Sequence, residues 1–273
     1  MIRDELVQEG IRISIRQLCG WLECPRSAVY RPPRARQAYC VSAALLGEVR
    51  QIIDTHPAYG VRRITWALNQ GRDTKVNWKA VHRIVRLKGW SVQKRPKGQR
   101  PRVRGWRSQV AQPNQQWAID TSHFCTQRDG WCHITAVIDC CDRMLIGWRA
   151  SQSGKAAIAA AALEDAVIRR NPSPGLTLRS DNGLVFGAEA FHKVVRGAGL
   201  RQQYITPYTP EQNGMIERWF RTLKEECLWR HTFETLDEAR HTIDEFVLEY
   251  NTERPHQALG MLTPSQWRER YAA

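Results

Sequence analysis

The sequence has no run of eighteen apolar residues, and this removes a membrane-spanning helix from consideration. It has no internal repeat, no low-complexity tract and no heptad run, so solenoids, collagen and coiled-coil rods are excluded. Its eight cysteines include no C-x-x-C pair, and the adjacent Cys140 and Cys141 fit no ordinary zinc spacing. The N-terminal stretch MIRDELVQEGIRIS is too polar for a secretion signal. The expectation is a cytoplasmic protein with reduced thiols, most of them serving as small buried hydrophobes.

One absence is local. Residues 91–112 contain no acidic side chain but seven basic ones, with two prolines and two glycines. That stretch reads as an extended basic linker suited to lying along a phosphate backbone. It belongs to a wider asymmetry. The 273 residues are 42% hydrophobic and 25% charged, an ordinary globular composition with length for about two domains. Residues 1–110 hold 23 of the 41 Lys and Arg but 7 of the 27 acids, a net +16, while the remainder nets −2. A basic module joined to a nearly neutral one points to a polyanion-binding part and a part with another task.

Residues 14–30 read as two short helices about a turn at Glu23-Cys24-Pro25. Ser14 caps the first, and Leu18, Trp21 and Leu22 form its apolar stripe. The spacing suits a helix-turn-helix, although any small helical hairpin looks similar. After a basic Pro-containing linker come three helices. The first places Leu45, Leu46, Val49, Ile52 and Ile53 on one face. The second turns Val61, Ile64 and Leu68 inward and Arg62 and Arg63 outward. The third, capped by Asn77 and ended by Gly89, buries Val81, Ile84 and Val85 and leaves Lys79, His82, Arg83 and Arg86 elsewhere around it. A charged outer face is usually only solvated. Here it coincides with the basic half of the chain, which favours DNA binding.

The texture changes at residue 117. WAIDTS, WCHITAVID and MLIGWRASQ are strand-like runs separated by turn signals. An Ala-rich helix follows, then a strand (GLTLRSD), a helix, a short strand (RQQYIT), a long helix from near residue 211 to about 230, and helices over 235–250 and 263–271. This is an α/β pattern, a mixed sheet flanked by helices.

Asp120 ends the first strand, Asp181 lies just past the fourth, and Glu217 sits on the long helix with 35 residues between the last two. Three hard oxygen donors from two strand ends and a helix suit Mg²⁺ or Mn²⁺. Such a trio can hold two ions about 4 Å apart and serve a phosphodiester displacement. Arg221 and Lys224 stand four and seven residues after Glu217, on its face of the helix. They allow either an intrahelical Glu217–Arg221 salt bridge or a grip on phosphate.

WAIDTS, VIDCCDRMLIGW, LRSDNGLVF, YTPEQNGMIERWFRTLKEE and YNTERPHQALGMLTPSQW together resemble the DDE catalytic core of retroviral-integrase type. They resemble more narrowly the second-frame product of the large two-frame family of bacterial insertion-sequence transposases. AYGVRRITWALN with KAVHRIVRLKGW resembles that family's upstream helical DNA-binding domain, and RQLCGWLECPRSAVYR the start of that product.

The resemblance implies a ribonuclease-H-like mixed five-stranded sheet flanked by helices, preceded by a small all-α helix-turn-helix-type domain. It implies a helix-turn-helix-like segment with its linker over 1–40, a three-helix DNA-binding domain over 41–92, a basic linker over 93–112 and the catalytic core over 113–273. Asp120, Asp181 and Glu217 become the metal-binding triad for Mg²⁺, with Mn²⁺ as a substitute and two ions per site. Arg62, Arg63, Lys79, Arg83, Lys94, Arg95, Lys97, Arg221 and Lys224 become DNA contacts. Asn213 and Gly214 shape the approach to the triad helix. Arg179 stands where many relatives carry His. Asn251, Arg254 and His256 match a tail motif whose role is structural or DNA-facing. Asp139 reads as a strand-end structural acid.

The implied activity is metal-dependent DNA strand cleavage and 3′-OH strand transfer, by a bacterial cytoplasmic protein that associates with the nucleoid when bound to DNA. Its implied partners are double-stranded DNA, further copies of the chain on DNA, and a first-frame product, as fusion or as partner, that would supply the absent zipper module. The chain can also be a catalytic half that is active only when fused to that first-frame product, and two further alternatives stand beside this. One is a non-catalytic DNA-binding regulator of transposition, which the intact set of three acids disfavours. The other is a nuclease for RNA–DNA hybrids, which the basic helical module and the tail motif disfavour.

Overall fold

A computed structural model describes residues 2–30, 41–92, 110–206 and 210–272. Lys94, Arg95 and Lys97 lie outside the described residues. The chain divides into two compact units, Met1–Leu45 and Leu46–Ala273.

In the first unit, α1 (Ile2–Gln8) is followed by α2 (Ile15–Trp21) and α3 (Arg26–Tyr30). The Ser14 side chain accepts from the Gln17 amide while the Gln17 side chain accepts from the Ser14 amide, a reciprocal capping box that fixes where α2 begins. Leu18 and Cys19 are buried, but Trp21 and Leu22 are exposed, against the stripe read from sequence. The helix stops there. Trp21 is its last residue and Leu22 its cap, so neither continues the inward face.

Most of α4 (Ala43–Thr55) lies in the second unit, which continues with α5 (Val61–Leu68) and α6 (Trp78–Leu87). Asn77 caps α6 by accepting from the Lys79 amide, and Gly89 beyond its end takes φ 68°, a conformation open to glycine at little cost. Val49, Ile64, Leu68, Val81, Ile84 and Val85 form the buried side, in line with the helical periodicity.

The sheet comprises β1 (Gln116–Thr126), β2 (Gly130–Asp139), β3 (Leu145–Ser151), β4 (Thr177–Ser180) and β5 (Arg201–Tyr204), in the order β3-β2-β1-β4-β5. The β1–β2 and β2–β3 pairs are antiparallel, and β1–β4 and β4–β5 are parallel. Helices α7 (Ala156–Arg170) and α8 (Glu189–Gly197) cover one face, joining Trp117, Ile119, Ile146 and Leu178 in one core. On the other face α9 (Gly214–Glu226) and α10 (Leu236–Thr252) pack on Ala118, Ile134 and Ile138. The last helix is α11 (Pro264–Ala272).

The Ala-rich sequence of α7 has a geometric reason. A Cβ added at Gly147 of β3 would fall within 2.3 Å of the Ala162 carbonyl oxygen, so strand and helix touch backbone to backbone. The long helix expected over 211–230 is shorter. It spans Gly214–Glu226 between 3₁₀ turns at Pro210–Asn213 and Leu228–Arg230, because Cys227 (φ −125°, ψ −74°) leaves helical geometry. A 3₁₀ turn carries nearly the same hydrophobic spacing as an α-helix, which hides the break from periodicity. All seven described cysteines are free, and burial pushes Cys140 and Cys227 up to about 12, as inert hydrophobes. Among the described residues no helix is long and apolar enough to cross a membrane.

Candidate functional site

Strand parity aims Asp120. Side chains alternate across a strand, and Ala118 and Phe124 on β1 belong to the core under α9 and α10, whereas Trp117 and Ile119 belong to the opposite core. Asp120 and Ser122 therefore share the α9 side. The β1–β4 pairing runs to Ala118 opposite Arg179. Two residues further along each chain stand Asp120 and Asp181, so the parallel pairing delivers both acids to one end of the sheet.

The third acid is set by how α9 is tethered. The buried Arg179 donates to the Gln212 carbonyl (2.8 Å) and to the Gln203 side chain (3.1 Å), linking β4, β5 and the segment before α9. The buried Asn213 donates to the Ile119 carbonyl across a long 3.4 Å, next to Asp120 in β1. Glu217 follows one turn later, exposed at the surface. Gly214 has open space where a Cβ would stand, so it is there for no close contact.

Asp120, Glu217, Arg221 and Lys224 line one cavity of about 280 Å³ together with Phe220 and Trp229. Burial raises the Asp120 carboxyl to about 7, and the charges of Asp181 and Glu217 push the same way, against the Thr121 amide and Lys224. Asp181 is off the cavity wall, yet its charge is felt at Asp120. The donor chemistry fits a hard divalent cation, since three carboxylates that repel one another are what such a cation relieves. Among the described residues no three His, Cys, Asp or Glu side chains are gathered as a ready ligand set. The fit therefore rests on donor type and mutual charge. Arg221 pairs with Glu225 at 2.9 Å, which differs from the Glu217 pairing weighed from sequence.

The remaining candidates separate into two groups. Arg62, Lys79 and Arg83 lie on the exposed surface of α5 and α6. Arg63 does not. It is half-buried, donates to the Pro255 carbonyl and faces Glu226, so its expected outward orientation is overturned. The tail motif residues are buried. Asn251 exchanges two 3.0 Å hydrogen bonds with the Leu145 backbone. Arg254 makes two 2.7 Å bonds to Glu226. His256 contacts the Tyr250 carbonyl at 3.4 Å and its ring edge-on. Asp139 is fully buried and accepts from the Asn114 and Cys141 amides and the Trp117 indole. Sequence reading missed Ser122, Phe220 and Trp229 on the cavity wall. The alternation of β1 and the helical spacing from Glu217 carry the signal for the first two, and no pattern announces Trp229.

Residues 110–210 and 198–264 match models described as integrase core domain, and residues 42–98 match an HTH-like domain. The chain is 28% identical over 271 residues to the insertion element IS407 uncharacterized 31.7 kDa protein of Burkholderia multivorans, covering 98% of this chain and 95% of that one. It is 27% identical over 234 residues to transposase InsD of insertion element IS2 from Escherichia coli, covering 82% of this chain and 77% of that one. Among solved structures, the simian T-cell lymphotropic virus intasome in complex with PP2A regulatory subunit B56 gamma aligns with a TM-score of 0.51 at 16% identity, over 81% of this chain and 73% of that one. That likeness shows the fold, a ribonuclease-H-like mixed sheet flanked by helices. Integrase cores are metal-dependent as a family. The chain thus carries an HTH-like domain over residues 42–98 ahead of an integrase core over residues 110–264, and the relatives that align over most of its length come from bacterial insertion elements, a transposase among them.

Proposed function

We propose that this chain cleaves DNA strands at element ends and transfers the freed 3′-hydroxyl to target DNA, with Asp120, Asp181 and Glu217 as the metal-holding acids. One observation carries the reading. Asp120 and Glu217 share a cavity with Arg221 and Lys224, and the charge of Asp181 bears on Asp120. Carboxylates beside two cations suit a phosphodiester, whose anionic oxygens need positive partners. Mg²⁺ or Mn²⁺, as two ions, would activate a water or a 3′-hydroxyl and stabilise the departing 3′-oxygen. Lys224 and Arg221 hold the flanking phosphates, with Arg221 shared with Glu225. Arg179 and Asn213 tether the start of α9 to the sheet, which keeps Glu217 on the cavity wall with Asp120.

The division of labour follows the charge. Residues 41–92 hold duplex DNA through Arg62, Lys79 and Arg83. The basic stretch 93–112, with Lys94, Arg95 and Lys97, tracks the backbone. Residues 113–273 perform the chemistry, and residues 1–40 serve as the helix-turn-helix-like segment with its basic linker. Joining two element ends calls for more than one copy on DNA, and the intasome alignment supports such an assembly for this chain. A first-frame product joins it as fusion or as partner, and the working location is the cytoplasm, on the nucleoid. The test is to incubate the chain, alone and fused to a first-frame product, with element-end DNA and Mn²⁺. Strand cutting or joining that disappears in Asp181→Asn is expected. Binding without cutting under both conditions would overturn the reading in favour of a regulator.

A further inference from the structure

Trp117 is 0% exposed and Trp219 1%, whereas Trp21, Trp78 and Trp131 are more than half exposed and none of these five lines the cavity that holds Asp120 and Glu217. Trp229 is 53% exposed, yet it lines the cavity that holds Asp120 and Glu217. Its position is fixed. It is the middle residue of the 3₁₀ turn directly after α9, flanked on its N-terminal side by the buried Cys227 and Leu228. The Arg230 amide donates to the Cys227 carbonyl, the Arg230 guanidinium to the Glu225 carbonyl (both 3.0 Å), and the His231 ring meets the Cys227 carbonyl at 3.0 Å. A turn tied at three points holds the indole at the cavity.

The rest of the wall says what an indole is for there. The carboxylates and cations suit a phosphodiester, and a phosphodiester carries a nucleoside on each side. A base paired and stacked in a duplex hinders access to the phosphate next to it, and enzymes of several kinds solve this by drawing the base out onto an aromatic surface. An indole face accepts any base, because every base has a π-face. We propose that Trp229 is a stacking subsite for one unpaired nucleobase next to the phosphate at the carboxylates. The subsite rests on the DNA-cleaving reading for its location. Its recognition is sequence-tolerant.

The test uses the full chain and three probes of one sequence: a forked DNA duplex with 2-aminopurine as its first unpaired nucleotide, the same fork with an abasic site there, and the fully paired duplex. The wild-type chain is expected to quench 2-aminopurine on binding, with Trp229→Phe retaining most of the quench and Trp229→Ala losing it. Trp229→Ala should bind the fork about tenfold more weakly while binding the abasic fork and paired duplex within twofold of wild type. Unchanged melting shows that the variant folds. Equal quench by wild type and Trp229→Ala, or equal weakening on all three probes, would overturn the subsite. The failures are separable. Trp229-dependent quench without Mn²⁺-dependent cutting sinks the catalytic reading alone, and cutting with no Trp229-dependent quench sinks the subsite alone.

Discussion

Arg63 donates from Nε to the backbone carbonyl of Pro255, 192 residues away in sequence, at 3.2 Å. Its guanidinium also lies 3.5 Å from Glu226, which is itself held by two 2.7 Å bonds from Arg254. The helical module and the end of the core thus meet at one carboxylate shared by two guanidiniums. Burial pulls the Arg63 pKa down, the charge of Arg254 adds to this, and Glu226 opposes it. Removing Arg63 leaves Glu226 paired with Arg254, so Arg63→Ala should cost about 1–2 kcal/mol of unfolding free energy. Glu226→Gln leaves two cations facing each other and should cost more, about 3 kcal/mol. The DNA readout differs again. Arg63→Ala should leave the slope of log affinity against log salt unchanged, and Arg83→Ala should lower it by about one. Anisotropy titrations over a salt series decide this, and equal slope losses in the two variants would contradict the assigned orientation of Arg63.

That junction shows where sequence reading stops. The 3.6-residue period of α5 correctly buries Ile64 and Leu68. It cannot say what lies against the neighbouring Arg63, because the partner comes from a distant turn. The acids behave oppositely. Their spacing and strand-end positions are local features, and strand alternation aims Asp120 at α9 without long-range information. The tail motif left two roles open from sequence, and what sequence could not show is that Asn251, Arg254 and His256 are all buried. Trp229 was invisible because a lone tryptophan after a helix normally reads as core.

Asn251 stands in for a strand partner. The β2–β3 ladder shifts register between Val137 and Ile138, and there the Asn251 side chain donates to the Leu145 carbonyl and accepts from its amide. Asn251→Ala strands two buried backbone groups and should cost about 2–3 kcal/mol. Asn251→Asp should cost at least as much at neutral pH, since it replaces the donor with a buried charge facing a carbonyl. Urea unfolding of the three proteins measures both, and an Asn251→Asp as stable as wild type would contradict the geometry.

Gly147 offers a steric test. An added methyl would meet the Ala162 carbonyl oxygen at 2.3 Å and the Ala166 amide nitrogen at 2.9 Å, and backbone cannot yield as a flexible side chain does. Gly147→Ala should lose about 3 kcal/mol or more through the forced separation of α7 from β3. Gly187→Ala is the control, having open space and no positive φ, and should stay within about 0.5 kcal/mol of wild type. Thermal melts followed by circular dichroism compare the two. Similar losses in both variants would mean that the helix does not touch the strand there.

His256 makes stability depend on pH. Burial holds its imidazole down to about 3, helped by the nearby cations Arg254, Arg63 and Arg143, while the Tyr250 carbonyl pulls the other way. An unfolded chain protonates this ring near 6.5. Between those values the unfolded state binds the extra proton, so stability rises with pH through that window and is fully present above about 6.5. On acidification from pH 6.5 to 4.5 this one ring should remove about 2 kcal/mol. His256→Gln, which cannot take the proton, should be less stable than wild type by about 1 kcal/mol at pH 7.5 through the lost edge-on contact with Tyr250. The gap should close or reverse by pH 4.5. Because both proteins share every other titrating group, the difference between their urea midpoints isolates the one ring. A gap that stays constant from pH 7.5 to 4.5 would mean that His256 is protonated as readily in the folded chain as in the unfolded one.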